Sequence, residues 1–397
     1  MMSEELKCAA FGKCGGCSLL NVKYSDQLAL KQKNMEKLLS GFAKVEPVIG
    51  MEDPLYYRNK VHHSFGYGKK GGVISGSYAA NSHRILTTEE CFLEDSICQE
   101  IIRSIRELAE SFGIEIFNED RGRGILRHAL IRRGFTSKEV MVVLVTGSDF
   151  FPSRSNFAKE LVRRHPEITT VVQNINGKKT GMVLGEMNRT IYGPGFIRDT
   201  ICGLTFRISP TSFYQVNPVQ TEVLYRKAVE FAELSGRETV IDAYCGIGTI
   251  GLCAAKKAGR VIGVELNKNA VADAVLNCKE NGIKNARFYQ GDATRFISSM
   301  AMKGERAGVV FMDPPRSGST PQFIDSVCRM KPERVVYVSC GPETLARDLR
   351  IFESKSYRVS RIQPVDMFPY TREHVETVVQ LVRKAPEANK RAEKGNK

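Results

Sequence analysis

No run of about 18 apolar residues occurs anywhere in the 397-residue chain, which argues against a membrane-spanning helix. The start, Met1-Met2-Ser3-Glu4-Glu5-Leu6, is acidic and has no apolar signal core, so secretion is not expected and a cytoplasmic location is. Histidine is scarce: of the six, His62, His63, His83 and His165 show no metal-ligand spacing and read as surface or structural residues. Internal repeats are absent. Acidic residues are outnumbered, 44 against 58 Lys and Arg, and the net charge of +14 favours a polyanionic partner, most simply nucleic acid. What the chain does have is cysteine. Eleven of them, in a chain expected in a reducing compartment, fit metal binding, catalysis and burial better than disulfides.

Two apolar, β-branched runs, Val309–Met312 and Val335–Val338, each stop at a chemically loaded tip. The tips are Asp313-Pro314-Pro315-Arg316 and Ser339-Cys340-Gly341-Pro342, and Pro321–Met330 between them has helical length and spacing. A strand–helix–strand unit of a parallel sheet would turn both tips toward one crevice beyond the strand ends. A thiol there, Cys340, beside a carboxylate, suggests covalent chemistry on a bound substrate.

Upstream, Ser212–Asn217 leads into a helix, Pro218–Leu234, with proline in its first turn. Thr239–Thr249 then reads as a strand running into a glycine-rich turn around Gly246 and Gly248, followed by a helix over Ile250–Ala258. The next strand, Val261–Val264, ends in Glu265, 23 residues after Asp242, a spacing that suits ribose recognition. The third glycine of a dinucleotide fingerprint is missing. Acidic residues nonetheless close four successive strands: Asp242, Glu265, Asp292 and Asp313. That series suits an adenosine ligand carrying a cationic sulfonium, S-adenosylmethionine.

At the amino-terminal side, Cys8, Cys14 and Cys17 lie in a short glycine-rich segment and suit a thiophilic metal, an iron–sulfur cluster or zinc. A fourth thiolate would come from Cys91 or Cys98. Cys91 is favoured because it sits at a loop–helix junction, whereas Cys98 falls in an amphipathic helix over Ser96–Phe112. Asn21–Leu39 reads as a helix with Leu28, Met35, Leu38 and Leu39 on one side, ending at Ser40-Gly41. From Met51 to Phe206 the texture is short β-rich runs, with a hairpin tip at Gly66–Gly72 and strands over Ala129–Arg133 and Val140–Thr146. Arg121, Arg123, Arg127, Arg132 and Arg133 concentrate positive charge there, and with Tyr56 and Tyr57 they are candidates for RNA contact.

Taken together, Phe213-Tyr-Gln215-Val-Asn217, Asp242-Ala-Tyr244-Cys-Gly-Ile-Gly248, Asp313-Pro-Pro-Arg-Ser-Gly318, Ser339-Cys340 and Phe368-Pro-Tyr-Thr-Arg-Glu-His374-Val-Glu376 resemble the motifs of the RNA uracil-5-methyltransferases. The resemblance runs from Cys8 to about Leu381. It implies Cys340 as the nucleophile, Glu376 as the base, and Gln215, Tyr244, Glu265, Asp292 and Asp313 as cofactor contacts. Cys8, Cys14, Cys17 and Cys91 are similar to the ligands of a [4Fe-4S] cluster in the ribosomal-RNA branch, which tilts the substrate toward 23S ribosomal RNA, naked or in a pre-ribosomal particle. Two departures stand out. Only seven residues precede Cys8, where many relatives carry a small β-barrel RNA-binding domain, and Thr249 stands where several have asparagine.

The implied architecture is α/β: a class I S-adenosylmethionine-dependent methyltransferase domain, a Rossmann-like parallel sheet with antiparallel terminal strand, plus a smaller β-rich central domain bearing the four-cysteine cluster. Residues 1–17 and 51–206 would form the cluster-bearing RNA-contacting domain, 18–50 and 207–384 the methyltransferase domain, and 385–397 a basic disordered tail. A monomer is expected. The chemistry follows from uracil itself, whose carbon 5 becomes nucleophilic only after a thiolate adds to carbon 6. Arg316 and Arg347 are the cations expected to lower the Cys340 pKa. Alternatives are a transfer-RNA uracil-5-methyltransferase and a non-catalytic iron–sulfur RNA-binding protein. A cytosine-5 or amino-group methyltransferase fits less well, because Pro315 is followed by Arg316 rather than by cysteine or an aromatic residue.

Overall fold

A computed structural model describes residues 6–79, 82–88, 90–179 and 181–385. The expected tail falls outside these residues, apart from its first position. The β-rich part is a seven-stranded sheet in the order β3-β2-β1-β4-β5-β6-β7. Its strands are β1 (Lys60–Tyr67), β2 (Val73–Tyr78), β3 (Ile85–Leu86), β4 (Leu126–Arg133), β5 (Val140–Thr146), β6 (Ile168–Ile175) and β7 (Met187–Tyr192). Helices α2 (Ser96–Ser111) and α3 (Arg154–Arg164) cover one face. Asp95 caps α2 through the amides of Ile97 and Cys98. Cys98 is fully buried in this layer, together with Ile101, Ile105 and Leu108.

The hairpin β8 (Ile197–Ile201) and β9 (Leu204–Ile208) pairs only with itself and packs on helices of the second sheet, so a boundary at residue 206 would cut a strand. That second sheet has seven strands in the order β12-β11-β10-β13-β14-β16-β15. They are β10 (Thr239–Ala243), β11 (Arg260–Glu265), β12 (Ala286–Gln290), β13 (Val309–Met312), β14 (Arg334–Ser339), β15 (Tyr357–Val365) and β16 (Glu376–Arg383). β10 to β14 are parallel, and β16 lies antiparallel between β14 and β15, as the expected terminal hairpin. The central strands are buried along nearly their whole length, because helices cover both faces. Those helices are α4 (Pro218–Ala232), α5 (Thr249–Ala255), α6 (Lys268–Glu280), α7 (Ala293–Met302), α8 (Pro321–Met330) and α9 (Pro342–Ser354), joined by the amino-terminal α1 (Tyr24–Leu39).

The fully buried face of α1 differs from the expected apolar stripe. It consists of Gln27, Lys31, Met35 and Leu39 at four-residue spacing, while Leu28 and Leu38 are half-buried. The two polar members are accommodated by partners from the far end of the chain. Lys31 Nζ donates to Asp366 Oδ1 at 2.6 Å, and both side chains are fully buried. No helix among the described residues is long and apolar enough to cross a membrane.

Candidate active site

Sheet register explains why residues distant in sequence meet. β13 and β14 run side by side and parallel, so Asp313 and Cys340 leave the sheet at the same edge. β16 runs back along β14 with Thr377 opposite Ser339, and this sets Glu376, its first residue, next in line with Cys340. Glu376 is 5 % exposed. Burial, helped by the Asp313 carboxylate, pushes its pKa up to about 8, while the Arg316 guanidinium pulls the other way. Burial likewise lifts Asp313 to about 7.

The Cys340 thiol is pushed up to about 11 by burial and then by Glu376 and Asp313, with Arg316 opposing. The expectation of a lowered thiol pKa is therefore corrected for the resting site: one exposed guanidinium does not outweigh desolvation and two acids. Arg347 plays no part in it. Its guanidinium donates to the carbonyls of Ser317 (3.0 Å) and Ser319 (3.1 Å) and pairs with Asp348.

The loop after β13 is held by a residue that sequence reading passed over. Asp348 is fully buried in α9 and accepts from the Ser319 amide at 2.7 Å and the Tyr337 hydroxyl at 2.8 Å. A side chain at Gly318, where φ is +76°, would meet Asp348 at 2.7 Å. Arg316 Nη2 lies 3.0 Å from His374 Nδ1, so the loop carrying Arg316 and the loop leading to Glu376 touch. A groove of about 470 Å³ reaches Cys340 between α1 and α9, with Lys37, Arg316, Arg372 and His374 among its walls.

Four of the cofactor candidates, Tyr244, Glu265, Asp292 and Asp313, lie at the ends of parallel strands along the same edge. Tyr244 follows β10 with φ +64°, a left-handed conformation uncommon for a non-glycine residue. Glu265 ends β11, where its Oε2 accepts from the Gly246 amide at 3.1 Å and its Oε1 from the Asn267 amide at 2.8 Å. Asp292 follows β12 and caps α7 through the Arg295 amide at 2.9 Å. Gly248, at φ +85°, begins α5 directly beneath Phe288, where a Cβ would come within 2.9 Å of the ring. Gln215 is buried in the loop entering α4. Thr249 donates to the Tyr225 hydroxyl at 3.2 Å, and burial, followed by the Asp313 charge, raises the pKa of that tyrosine. Tyr225 was hidden from sequence reading because it sits on the apolar face of α4.

Cys8, Cys14, Cys17 and Cys91 line one cavity of about 60 Å³, and Cys98 does not. All four thiols are free and half-buried. Burial and then Cys14, Cys8 and Cys91 push the Cys17 thiol up to about 11. Among the described residues no three His, Cys, Asp or Glu side chains are gathered closely enough to hold a single metal ion.

The arginine cluster is dispersed. Arg121 and Arg123 are exposed, as an RNA contact requires. Arg127 is not: it is 4 % exposed, forms a bidentate pair with Glu119 at 2.6 and 2.7 Å, and donates to the Asn176 and Lys178 carbonyls. Arg132 is buried at 6 % exposure, with one long contact to the Pro210 carbonyl at 3.5 Å, and Arg133 pairs with Asp95 at 2.7 Å. Tyr57 is buried too, its hydroxyl donating to the Pro369 carbonyl at 3.1 Å, so it is not a stacking platform. β4 is buried along almost its whole length, so an arginine on it loses solvent whatever its charge.

A sequence profile of the family described as tRNA (Uracil-5-)-methyltransferase matches residues 198–384. An RNA methyltransferase of Halalkalibacterium halodurans, described as uncharacterized, is 44% identical over 95% of this chain and 83% of its own. One of Caldanaerobacter subterraneus, described likewise, is 42% identical over 95% and 84%. The solved tRNA (uracil-54, C5)-methyltransferase of Pyrococcus abyssi, in complex with S-adenosyl-L-homocysteine, superimposes with a TM-score of 0.79 over 93% of this chain and 86% of its own, at 30% identity. With an α/β methyltransferase fold, a thiol and an acid paired across β14 and β16, and these relatives over almost its whole length, the chain belongs to the RNA (uracil-5-)-methyltransferase family and uses S-adenosylmethionine.

Proposed function

We propose that this enzyme methylates carbon 5 of a uridine in 23S ribosomal RNA, with Cys340 as nucleophile and Glu376 as proton acceptor. The observation that carries the reading is the register of β16 on β14, which holds a buried carboxylate beside the thiol. S-adenosylmethionine, bound through Gln215, Tyr244, Glu265, Asp292 and Asp313, supplies a methyl group on a positively charged sulfur. The Cys340 thiol gives up its proton to solvent in the groove, and the thiolate adds to carbon 6 of the uracil ring. Once carbon 5 carries the methyl group, Glu376 removes the carbon 5 proton and the Cys340 thiolate leaves, restoring the ring. A Glu376 pKa near 8 makes it a stronger base than an ordinary carboxylate. The base must leave its stack to reach Cys340, and the basic groove walls at Lys37, Arg316 and Arg372 suit the flanking phosphates.

Cys8, Cys14, Cys17 and Cys91 are assigned to a [4Fe-4S] cluster. Four thiols round one cavity suit a thiolate-ligated cluster. The cluster, with the resemblance to the ribosomal-RNA branch, supports the 23S substrate. A transfer-RNA substrate is the second reading, favoured by the named substrate of the Pyrococcus abyssi relative. The cluster-bearing unit, with Arg121 and Arg123 outermost, is assigned to RNA contact, in a cytoplasmic monomer.

Incubation with 5-fluorouridine-containing 23S ribosomal RNA fragments and S-adenosylmethionine tests the mechanism and the substrate together. Fluorine cannot leave as a proton, so a denaturation-stable adduct should form with the wild type and not with Cys340→Ala. An adduct with transfer RNA alone would reassign the substrate, and none with either would reject covalent catalysis.

A further inference from the structure

The loop that delivers Glu376 is tied to the segment that carries the cysteines. Tyr370, six residues before Glu376, has φ +65°, a conformation that persists in a non-glycine residue only when its surroundings enforce it. Its carbonyl accepts from two successive amides, Ser18 at 2.9 Å and Leu19 at 3.0 Å, directly after Cys17. The Arg372 amide donates to Ser18 Oγ at 3.0 Å. The Tyr370 ring packs with Leu20, Tyr57 and Leu93, and Cys8, Cys17 and Cys91 lie against that same cluster.

Gln27 closes the arrangement. It is fully buried; its Oε1 accepts from the Tyr370 amide at 2.8 Å, and its Nε2 donates to the Leu19 carbonyl at 3.2 Å and the Val22 carbonyl at 2.7 Å. One amide side chain therefore ties the end of the cysteine segment to the loop of the proposed base. An apolar side chain of the same size would leave the Val22 carbonyl and the Tyr370 amide without their partner, while the Leu19 carbonyl keeps the Val22 amide.

Resting on the catalytic roles proposed for Cys340 and Glu376, we infer that Gln27 is a positioning residue for removal of the carbon 5 proton, and that it transmits the state of the cysteine centre to Glu376 through Tyr370. Attack by Cys340 depends on β14 and the start of α9, to which Ser18, Leu19 and Gln27 make no hydrogen bond among the described residues; proton removal depends on the loop that they hold. Loosening the clasp should therefore slow the second step and spare the first.

The test uses the full-length protein with Gln27→Leu, and Cys17→Ser as a second variant loosening the other end of the clasp. Amide hydrogen exchange over residues 368–376, without RNA, should accelerate at least about tenfold in both variants, while strands β10 and β13 stay protected. With unmodified 23S ribosomal RNA transcript, Gln27→Leu should accumulate a denaturation-stable protein–RNA adduct on ordinary uridine, as Glu376→Gln should. Turnover should fall about tenfold or more, while the rate of trapping by 5-fluorouridine RNA stays at the wild-type value. Unchanged exchange in the loop overturns the inference, and so does an equal loss of trapping and turnover, which would mark Gln27 as merely structural. If the wild type traps no RNA at all, the covalent mechanism falls and the catalytic half of the inference with it, while the exchange data still decide whether the clasp exists.

Discussion

Cys340 and Glu376 must both lose a proton to act, and both are held above their ordinary pKa values by burial and by each other's neighbourhood. Arg316 is the side chain that lowers both. Removing its charge raises both pKa values, so the ascending limb of the pH–rate profile in Arg316→Gln should move to higher pH. Turnover near neutrality should drop by about tenfold for each unit of displacement. A profile that stays in place would show that Arg316 serves only to hold His374. Arg127 makes the opposite kind of statement. Arg127→Ala strands the Glu119 carboxylate in a buried site, and a loss of about 3 kcal/mol is expected in chemical denaturation. RNA affinity of the folded variant should be unchanged, whereas Arg121→Glu with Arg123→Glu should weaken binding and flatten its salt dependence.

The elements were placed well by periodicity and turn chemistry, because those signals are local. α8, β13 and β14 run as their sequences imply, and α2 begins behind the Asp95 cap. α1 is the instructive case. Its inward face holds Gln27 and Lys31, and nothing within Tyr24–Leu39 announces that Asp366 and Tyr370 will arrive to receive them. Lys31→Ala should leave Asp366 charged and without its cation in a fully buried site. A loss of about 3–5 kcal/mol is expected, read as a lowered melting temperature. A change below about 1 kcal/mol would mean that Tyr24 and the Phe368 amide, which also donate to Asp366, suffice to hold it.

At the scale of the whole molecule the two sheets share one core. Leu130, Met141, Val143 and Val145 of the β-rich sheet lie in the same buried cluster as Ile197, Phe206, Tyr214 and Leu224 from the hairpin, the loop after it and α4. Ser18 and Leu19 bond across to Tyr370, and the Asn59 amide to the Val216 carbonyl. Shared burial of this kind couples unfolding, so calorimetry should record one transition rather than two. Two separated peaks would show that the β-rich part folds on its own.

The chemistry was written in the sequence because it is carried by short motifs. A thiol ending one strand, acids ending four others and glycines in the turn after β10 point to covalent chemistry with S-adenosylmethionine, and the resemblance carried by the longer motifs supplies the uracil-5 reaction. What those motifs leave open is which charges stay in water and which lose it. Only the tertiary structure turned Arg127 and Arg132 inward, raised the Cys340 thiol instead of lowering it, and set the cysteine segment against the loop of Glu376. Burial and pairing depend on segments hundreds of positions apart, and a desolvated charge takes its properties from whatever neighbour the fold supplies.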